Sequence, residues 1–150
     1  MANSYTSLFV HVIFGTHNRE PLLIPTIRER LWPYMGGIAR ENHMKALSVG
    51  GMLDHAHMLL KLSATMSVAK GVQLIKTVSS KWIHEHIEAL RNFAWQEGYG
   101  AFTVAASDLD DVIAYIERQE EHHRLRTFQE EYIAFLKENK IEYDERYVWG

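Results

Sequence analysis

The chain has 150 residues, 47% of them hydrophobic, a formal net charge of −3 and no cysteine. This length suits one well-buried domain over residues 1–150 and leaves little room for two. The lack of cysteine excludes disulfides, thiolate zinc sites and a cysteine nucleophile, and the acidic balance disfavours a protein that coats duplex DNA. No apolar run is long enough for a membrane span and residues 1–4 do not resemble a signal sequence, so we expect a cytoplasmic protein.

The first part of the chain predicts a strand, a helix and a β-hairpin. Residues 8–14 form a β-branched and aromatic run that is typical of a strand. Residues 25–40 keep a helical period, within which Pro33 indicates a kink or a break. Two further strands are expected at residues 45–49 and 55–62, and the two glycines between them indicate a hairpin.

The second part of the chain predicts a long helix, a strand and two shorter helices. Ser67 is a typical N-cap for the long helix, and residues 101–105 form the fourth expected strand. Ser107 is expected to open a helix that carries Tyr115. Thr127 is expected to cap a short last helix, and the aromatic tail after it should pack back on the domain.

The element order β-α-β-β-α-β indicates an α+β, ferredoxin-like fold with an added C-terminal helix that bears the tyrosine. Such a fold has a four-stranded antiparallel sheet with two helices on one face. Side chains alternate along a strand, so His55 and His57 should share the open face of the sheet. The apolar residues that alternate with them should face the two helices: Ala56, Met58, Leu60 and Leu62. The tyrosine helix is available to cover the histidines.

Four polar side chains form a candidate metal and nucleophile site. Residues i and i+2 of a strand have Cα atoms about 6–7 Å apart, so the imidazoles of His55 and His57 can converge on one metal ion. Tyr115 and Gln119 lie one helical turn apart on one face. Two imidazoles and an amide oxygen would leave coordination positions for phosphate oxygens, which suggests attack by Tyr115 on a phosphodiester.

Each of these residues also has a plainer interpretation. A His-X-His pair on a strand is more often a polar patch than a metal site, and a helical tyrosine usually packs in the core. His11 is expected to be a polar residue of the sheet, and His122 and His123 suit a helix C-terminus through the helix dipole alone. Lys76 and Lys81 are typical of a solvated helix face. The residues by themselves leave both interpretations open.

The order of these segments resembles the single-tyrosine HUH transposases, which act on single-stranded DNA of bacterial insertion sequences, and their REP-associated relatives. The resemblance extends over nearly the whole chain. The segments that carry it are residues 9–16, 18–19, 49–51, 54–57, 75–82, 93–104, 115–123 and 143–147.

The resemblance implies an enzyme that nicks single-stranded DNA near hairpins or imperfect palindromes and transfers the strand. His55, His57 and Gln119 would bind Mg²⁺ or Mn²⁺. Tyr115 would form a 5′-phosphotyrosine and release a 3′-hydroxyl. Insertion-sequence members act as dimers and REP-associated relatives can act as monomers, and the compact length favours a homodimer.

Charge and position indicate three candidate DNA contacts, namely Arg19, Lys76 and Lys81. The two lysines lie within residues 55–84, a stretch with four lysines and no carboxylate in an otherwise acidic chain. Two alternative functions remain at this point. One is a catalytically idle transposase derivative that binds DNA hairpins as a regulator, and the other is a ferredoxin-like metal-binding or hydrolytic module unrelated to DNA.

Overall fold

The computed structural model describes residues 3–119 and 126–150. Its strands are β1 (Phe9–Gly15), β2 (Lys45–Gly51), β3 (His55–Lys61) and β4 (Gly100–Val104). Its α-helices are α1 (Pro25–Glu41), α2 (Val68–His86), α3 (Leu109–Glu117) and α4 (Phe128–Glu138). Every helix in these ranges falls short of the length or the apolar character that a transmembrane segment requires.

The four strands form one sheet in the order β2-β3-β1-β4, and all neighbouring strands are antiparallel. This is the ferredoxin-like order, so the predicted α+β fold class is confirmed. Two central strands, β1 and β3, pair along their whole lengths, with Ile13 opposite His57 and Gly15 opposite His55. The histidine pair therefore lies in the middle of the sheet, where neighbouring strands hold the backbone on both sides.

Helices α1 and α2 cover one face of the sheet and enclose the larger core. Alternate residues of β1 and β3 supply its sheet side, including Val12, Phe14 and Met58. Leu31 of α1 and Ile75 of α2 are fully buried against them. The residues predicted to face these helices all belong to this core: Ala56, Met58, Leu60 and Leu62.

Helix α1 runs from Pro25 to Glu41 in one piece, so of the kink or break predicted at Pro33 the structure excludes the break. Proline removes one backbone donor, which leaves the carbonyl of Glu29 without its helical partner. Both Pro33 and Glu29 lie on the exposed face of α1, so water can satisfy that carbonyl. The apolar face of the helix is unaffected, and its packing keeps the helix in one piece.

Helices α3 and α4 and the C-terminal residues cover the opposite face. Ile13 and Phe102 from the sheet form a second buried cluster with Phe128 and Tyr132 from α4. The C-terminal tail packs against this cluster through Tyr143, Val148 and Trp149, as predicted from its aromatic residues. Among the described residues, two helices and the C-terminal tail therefore close the histidine face of the sheet, and for the histidines themselves the sequence indicated only the tyrosine helix as a cover.

The start of the tyrosine helix differs from the prediction. Residues 106–108 form a 3₁₀ turn, and the N-cap of α3 is Asp108 rather than Ser107. The backbone N–H of Asp108 donates to the carbonyl of Ala105, an i to i+3 bond of the 3₁₀ type. The α-helix therefore begins further along the chain, at Leu109. The other two predicted caps are present: Ser67 and Thr127 both accept backbone hydrogen bonds, and Thr127 forms a full capping box.

Candidate active site

His55 and His57 are fully buried and project from the same face of β3. Gly15 lies opposite His55 on β1, and a Cβ atom there would lie 2.8 Å from the ring of Phe128. The absence of a side chain at this position lets Phe128 stack on His55, with ring centroids 4.4 Å apart and an angle of 7° between the planes. This stacking fixes the plane of the His55 ring.

Both imidazoles use their Nδ1 atoms for contacts that orient the rings. Nδ1 of His55 lies 2.8 Å from Oδ1 of Asp54, and Nδ1 of His57 lies 2.8 Å from Nε2 of His11. A ring that donates from Nδ1 keeps the lone pair of Nε2 available, which is the usual arrangement of a metal-ligating histidine. The two Nε2 atoms accordingly face α3 and α4.

His11 is a buried supporting residue for His57. Burial, followed in effect by the neighbouring His57, lowers the pKa of His11 to about 3. The ring therefore stays neutral at physiological pH and can accept the Nδ1 proton of His57. The sequence predicted a polar sheet residue at this position, and the structure adds its specific partner.

The side chains of Gln119 and Glu131 complete the site around the two Nε2 atoms. Nε2 of His55 lies 3.0 Å from Oε1 of Gln119 and 3.5 Å from Oε1 of Glu131. Nε2 of His57 lies 3.0 Å from the same Glu131 oxygen. Adjacent ligands of an octahedral cation with bonds of about 2.1 Å are about 3 Å apart, so these spacings suit a shared ion. His55, His57 and Glu131 together could hold a metal ion.

Tyr115 lies at the edge of this group and is partly buried. Its ring centroid is 5.8 Å from that of His57, and its hydroxyl donates to Oε2 of Glu131. Burial raises the pKa of Tyr115 above its usual range, and the hydrogen bond to Glu131 and the charge of that carboxylate raise the pKa further. Arg126 acts in the opposite direction. The hydroxyl is therefore protonated at neutral pH in this arrangement.

The structure brings all four predicted site residues together. His55 and His57 lie on β3, Tyr115 lies on α3, and Gln119 lies just past the end of α3. Gln119 also donates to the carbonyl of Tyr115 over 3.3 Å, which keeps it one turn from the tyrosine as the i, i+4 spacing indicated. His122 and His123 lie outside the described residues.

Glu131 is a residue of the site that was not predicted from the sequence. The helical period nevertheless places Glu131 on the apolar face of α4. It lies three residues after Phe128 and four residues before Phe135, so the three side chains share one side of the helix. Glu131 is 0% exposed. A carboxylate on the buried face of an amphipathic helix is unusual and usually has a specific partner, and this criterion would have found it.

The three predicted DNA contacts occupy different environments away from the histidine pair. Lys76 donates to the carbonyls of Gln96, Glu97 and Gly98, and burial lowers its pKa to about 8. Lys81 is exposed, with its amine 4.0 Å from Glu85. These environments leave Lys81 more accessible than Lys76.

Arg19 places its guanidinium 5.2 Å from the ring centroid of Trp149, a distance typical of a cation–π contact. Trp149 in turn lies against Phe128, the residue stacked on His55. The side chain of Arg19 is therefore joined to the site through a series of aromatic rings, and its backbone N–H donates to Thr16, which in turn contacts the carbonyl of Asp54. Its role in DNA contact remains a prediction, as do those of Lys76 and Lys81.

Residues 4–119 match the family of transposases described as IS200-like. The chain belongs to this family. The match includes the histidine pair, Tyr115 and Gln119, and it ends before α4. Membership confirms the resemblance to single-tyrosine transposases of insertion sequences and implies a DNA-cleaving enzyme.

Individual relatives are distant in sequence, and two solved structures share the fold. The ISDra2 transposase TnpA of Deinococcus radiodurans is 23% identical over 114 residues, which cover 73% of this chain and 81% of that protein. The crystal structure of a candidate transposase from Deinococcus radiodurans has a TM-score of 0.65 at 22% identity, covering 79% of this chain and 96% of that one. A REP-associated tyrosine transposase bound to a REP hairpin has a TM-score of 0.59 at 17% identity, covering 82% and 73%.

Proposed function

We propose that this transposase is a metal-dependent endonuclease and strand transferase that cleaves and rejoins single-stranded DNA near hairpins, with Tyr115 as its nucleophile. One observation carries the proposal. The hydroxyl of Tyr115 and Nε2 of His57 contact the two oxygens of a single carboxylate, that of Glu131. The nucleophile is thus separated from the candidate metal ligands by one carboxylate group.

The metal would be Mg²⁺ or Mn²⁺, held by His55, His57 and Gln119. The amide oxygen of Gln119 is of the type that suits such ions, and imidazole is a common ligand of divalent metals. The 3.0 Å between Nε2 of His55 and Oε1 of Gln119 suits two donors that share one ion. A bound divalent ion would polarise the scissile phosphodiester and offset its negative charge. The side chains themselves keep the Nε2 atoms aimed at one point and exclude bulk water from it.

Cleavage exchanges one phosphodiester bond for another. The phenolic oxygen of Tyr115 forms a bond to phosphorus, the bond from phosphorus to the 3′-oxygen breaks, and the departing strand leaves as a 3′-hydroxyl. The tyrosine proton must be lost in this step, and in the structure that proton points at Glu131. Attack of a 3′-hydroxyl on the 5′-phosphotyrosine reverses the exchange, so rejoining needs no nucleotide.

The proposed substrate is a single strand beside a hairpin. The REP-associated transposase with the same fold is bound to a REP hairpin, which supports this substrate class. A chain with a net charge of −3 is better suited to local recognition of shape and unpaired bases than to extended contact with duplex DNA. Arg19, Lys76 and Lys81 are the proposed contacts, and a homodimer is the proposed assembly.

The function is tested by the variant Tyr115→Phe, which removes only the nucleophilic oxygen. Wild-type protein mixed with labelled single strands from the DNA that flanks its gene should form a covalent adduct on a denaturing gel with Mn²⁺ and not with EDTA. The variant should form no adduct and should still shift the hairpin on a native gel. An adduct that persists in Tyr115→Phe would exclude Tyr115 as nucleophile, and hairpin binding without any wild-type adduct would indicate a regulator.

A further inference from the structure

The carboxylate of Glu131 is buried and contacts several residues of the candidate site. It is fully buried, its Oε1 atom faces both histidines at 3.0 and 3.5 Å, and its Oε2 atom accepts from Tyr115. Oε2 also lies 3.4 Å from Nε2 of Gln119. All four residues proposed for catalysis therefore touch this one side chain.

Glu131 lies outside the part of the chain that matches the family. The family match ends at residue 119, whereas α4 begins at Phe128. Helix α4 is held on the sheet by its own apolar face, with Phe128, Tyr132 and Leu136 buried. This packing fixes the depth at which Glu131 enters the site, and Phe135 of the same helix also packs against Tyr115, with ring centroids 5.8 Å apart.

We propose that Glu131 is a further protein ligand of the metal ion, and that its second oxygen holds the Tyr115 hydroxyl beside that ion. The inference rests on the proposed metal-dependent function. Hard divalent cations favour carboxylate oxygens. Glu131 would add a negative charge to a ligand set that is otherwise neutral, namely His55, His57 and Gln119. Helix α4 then belongs to the metal centre, although it lies outside the region matched by the family.

The test is a titration of Mn²⁺ into the metal-free protein by calorimetry, for the wild type and for Glu131→Gln. The glutamine keeps the size of the side chain and one oxygen but removes the charge. Loss of residues that merely support metal ligands typically weakens metal binding about 10–100-fold, so loss of a ligand should weaken it at least about tenfold. Glu138→Gln makes the same change at an exposed position of α4 and should leave the affinity within about twofold of wild type.

Two outcomes for Glu131→Gln would overturn the inference. Unchanged affinity would place Glu131 outside the ligand set, and tighter binding would show that its carboxylate competes with the ion for the site. Circular dichroism establishes that the variant is folded. If it is not, Glu131→Asp replaces it, since a shortened carboxylate should also weaken binding and an unchanged affinity contradicts the inference.

A further variant separates this inference from the proposed function. His55→Ala should abolish Mn²⁺ binding if the histidine pair is the metal site at all. Loss of binding in His55→Ala but not in Glu131→Gln would reject the role of Glu131 and leave the proposed function intact. Full affinity in His55→Ala, or no binding by the wild type, would reject both.

Discussion

At the scale of single residues, the chemistry depends on which ring nitrogen each histidine presents to the site. His55 and His57 are equivalent in the sequence pattern, but different residues orient them. Asp54 holds one ring from the adjacent position in the chain, and His11 holds the other from a neighbouring strand. The Nδ1 partners, together with the stacking of Phe128 on His55, hold the two Nε2 atoms toward the same place.

Replacement of His11 by phenylalanine should weaken metal binding without unfolding the protein. The phenyl ring has a similar size and can keep the edge contact with Phe135, whose centroid lies 5.2 Å from that of His11. Nδ1 of His57 would lose its partner, and we expect Mn²⁺ affinity to fall about 10–100-fold. Calorimetric titration measures this. His17→Phe changes an exposed histidine and serves as control, and equal affinity in His11→Phe and wild type would contradict the supporting role.

At the scale of secondary-structure elements, the position of the tyrosine depends on how closely α3 approaches β2. A Cβ atom at Gly50 would lie 2.6 Å from the carbonyl oxygen of Ile116 and 2.9 Å from its Cγ2 atom. Ile116 directly follows Tyr115 and is buried. The lack of a side chain at Gly50 therefore sets the distance between the sheet and the nucleophile.

The variant Gly50→Ala should move α3 outward and slow formation of the covalent adduct. Misplacement of a reacting group by about 1 Å can cost about 100-fold in rate, so we expect a loss of at least about tenfold in single-turnover adduct formation. Gly36→Ala is the matched control, because a Cβ atom there would meet only Ala46 Cβ at 4.0 Å. Wild-type rates in Gly50→Ala would show that α3 can shift without moving Tyr115 from its productive position.

At the scale of the whole molecule, the site joins parts of the chain that are far apart in sequence. His55 and His57 come from β3, Gln119 follows α3, and Glu131 comes from α4. A ligand that binds only the folded arrangement stabilises it by mass action. An ion at this point would thus stabilise the sheet and both helices of the histidine face together.

Saturating Mn²⁺ should therefore raise the melting temperature, and EDTA should reverse the rise. At a free concentration about 100 times the dissociation constant, the stabilisation is about 2.7 kcal/mol. For a domain of this size that corresponds to roughly 5–10 °C. Differential scanning calorimetry measures the shift. His55→Ala should show none, and an equal shift in that variant would place the bound ion elsewhere on the protein.

Much of the fold could be predicted from local patterns. The strand and helix order indicated the ferredoxin-like sheet, and alternation along β3 placed His55 and His57 on the face opposite Met58. A break at Pro33 and an N-cap at Ser107 were wrong for local reasons, since an exposed proline can remain within a helix and a 3₁₀ turn can move the start of a helix further along the chain.

Only the tertiary structure decided which distant residues share the site. Sequence alone determined that two histidines project from one face and that Tyr115 and Gln119 lie a turn apart, because both follow from the geometry of a single strand or helix. The placement of Glu131 against His57 depends on how deeply α4 packs over the sheet, at a separation of 74 residues. No local periodicity encodes that depth. It follows from the packing of apolar side chains on two elements that meet only in the folded chain.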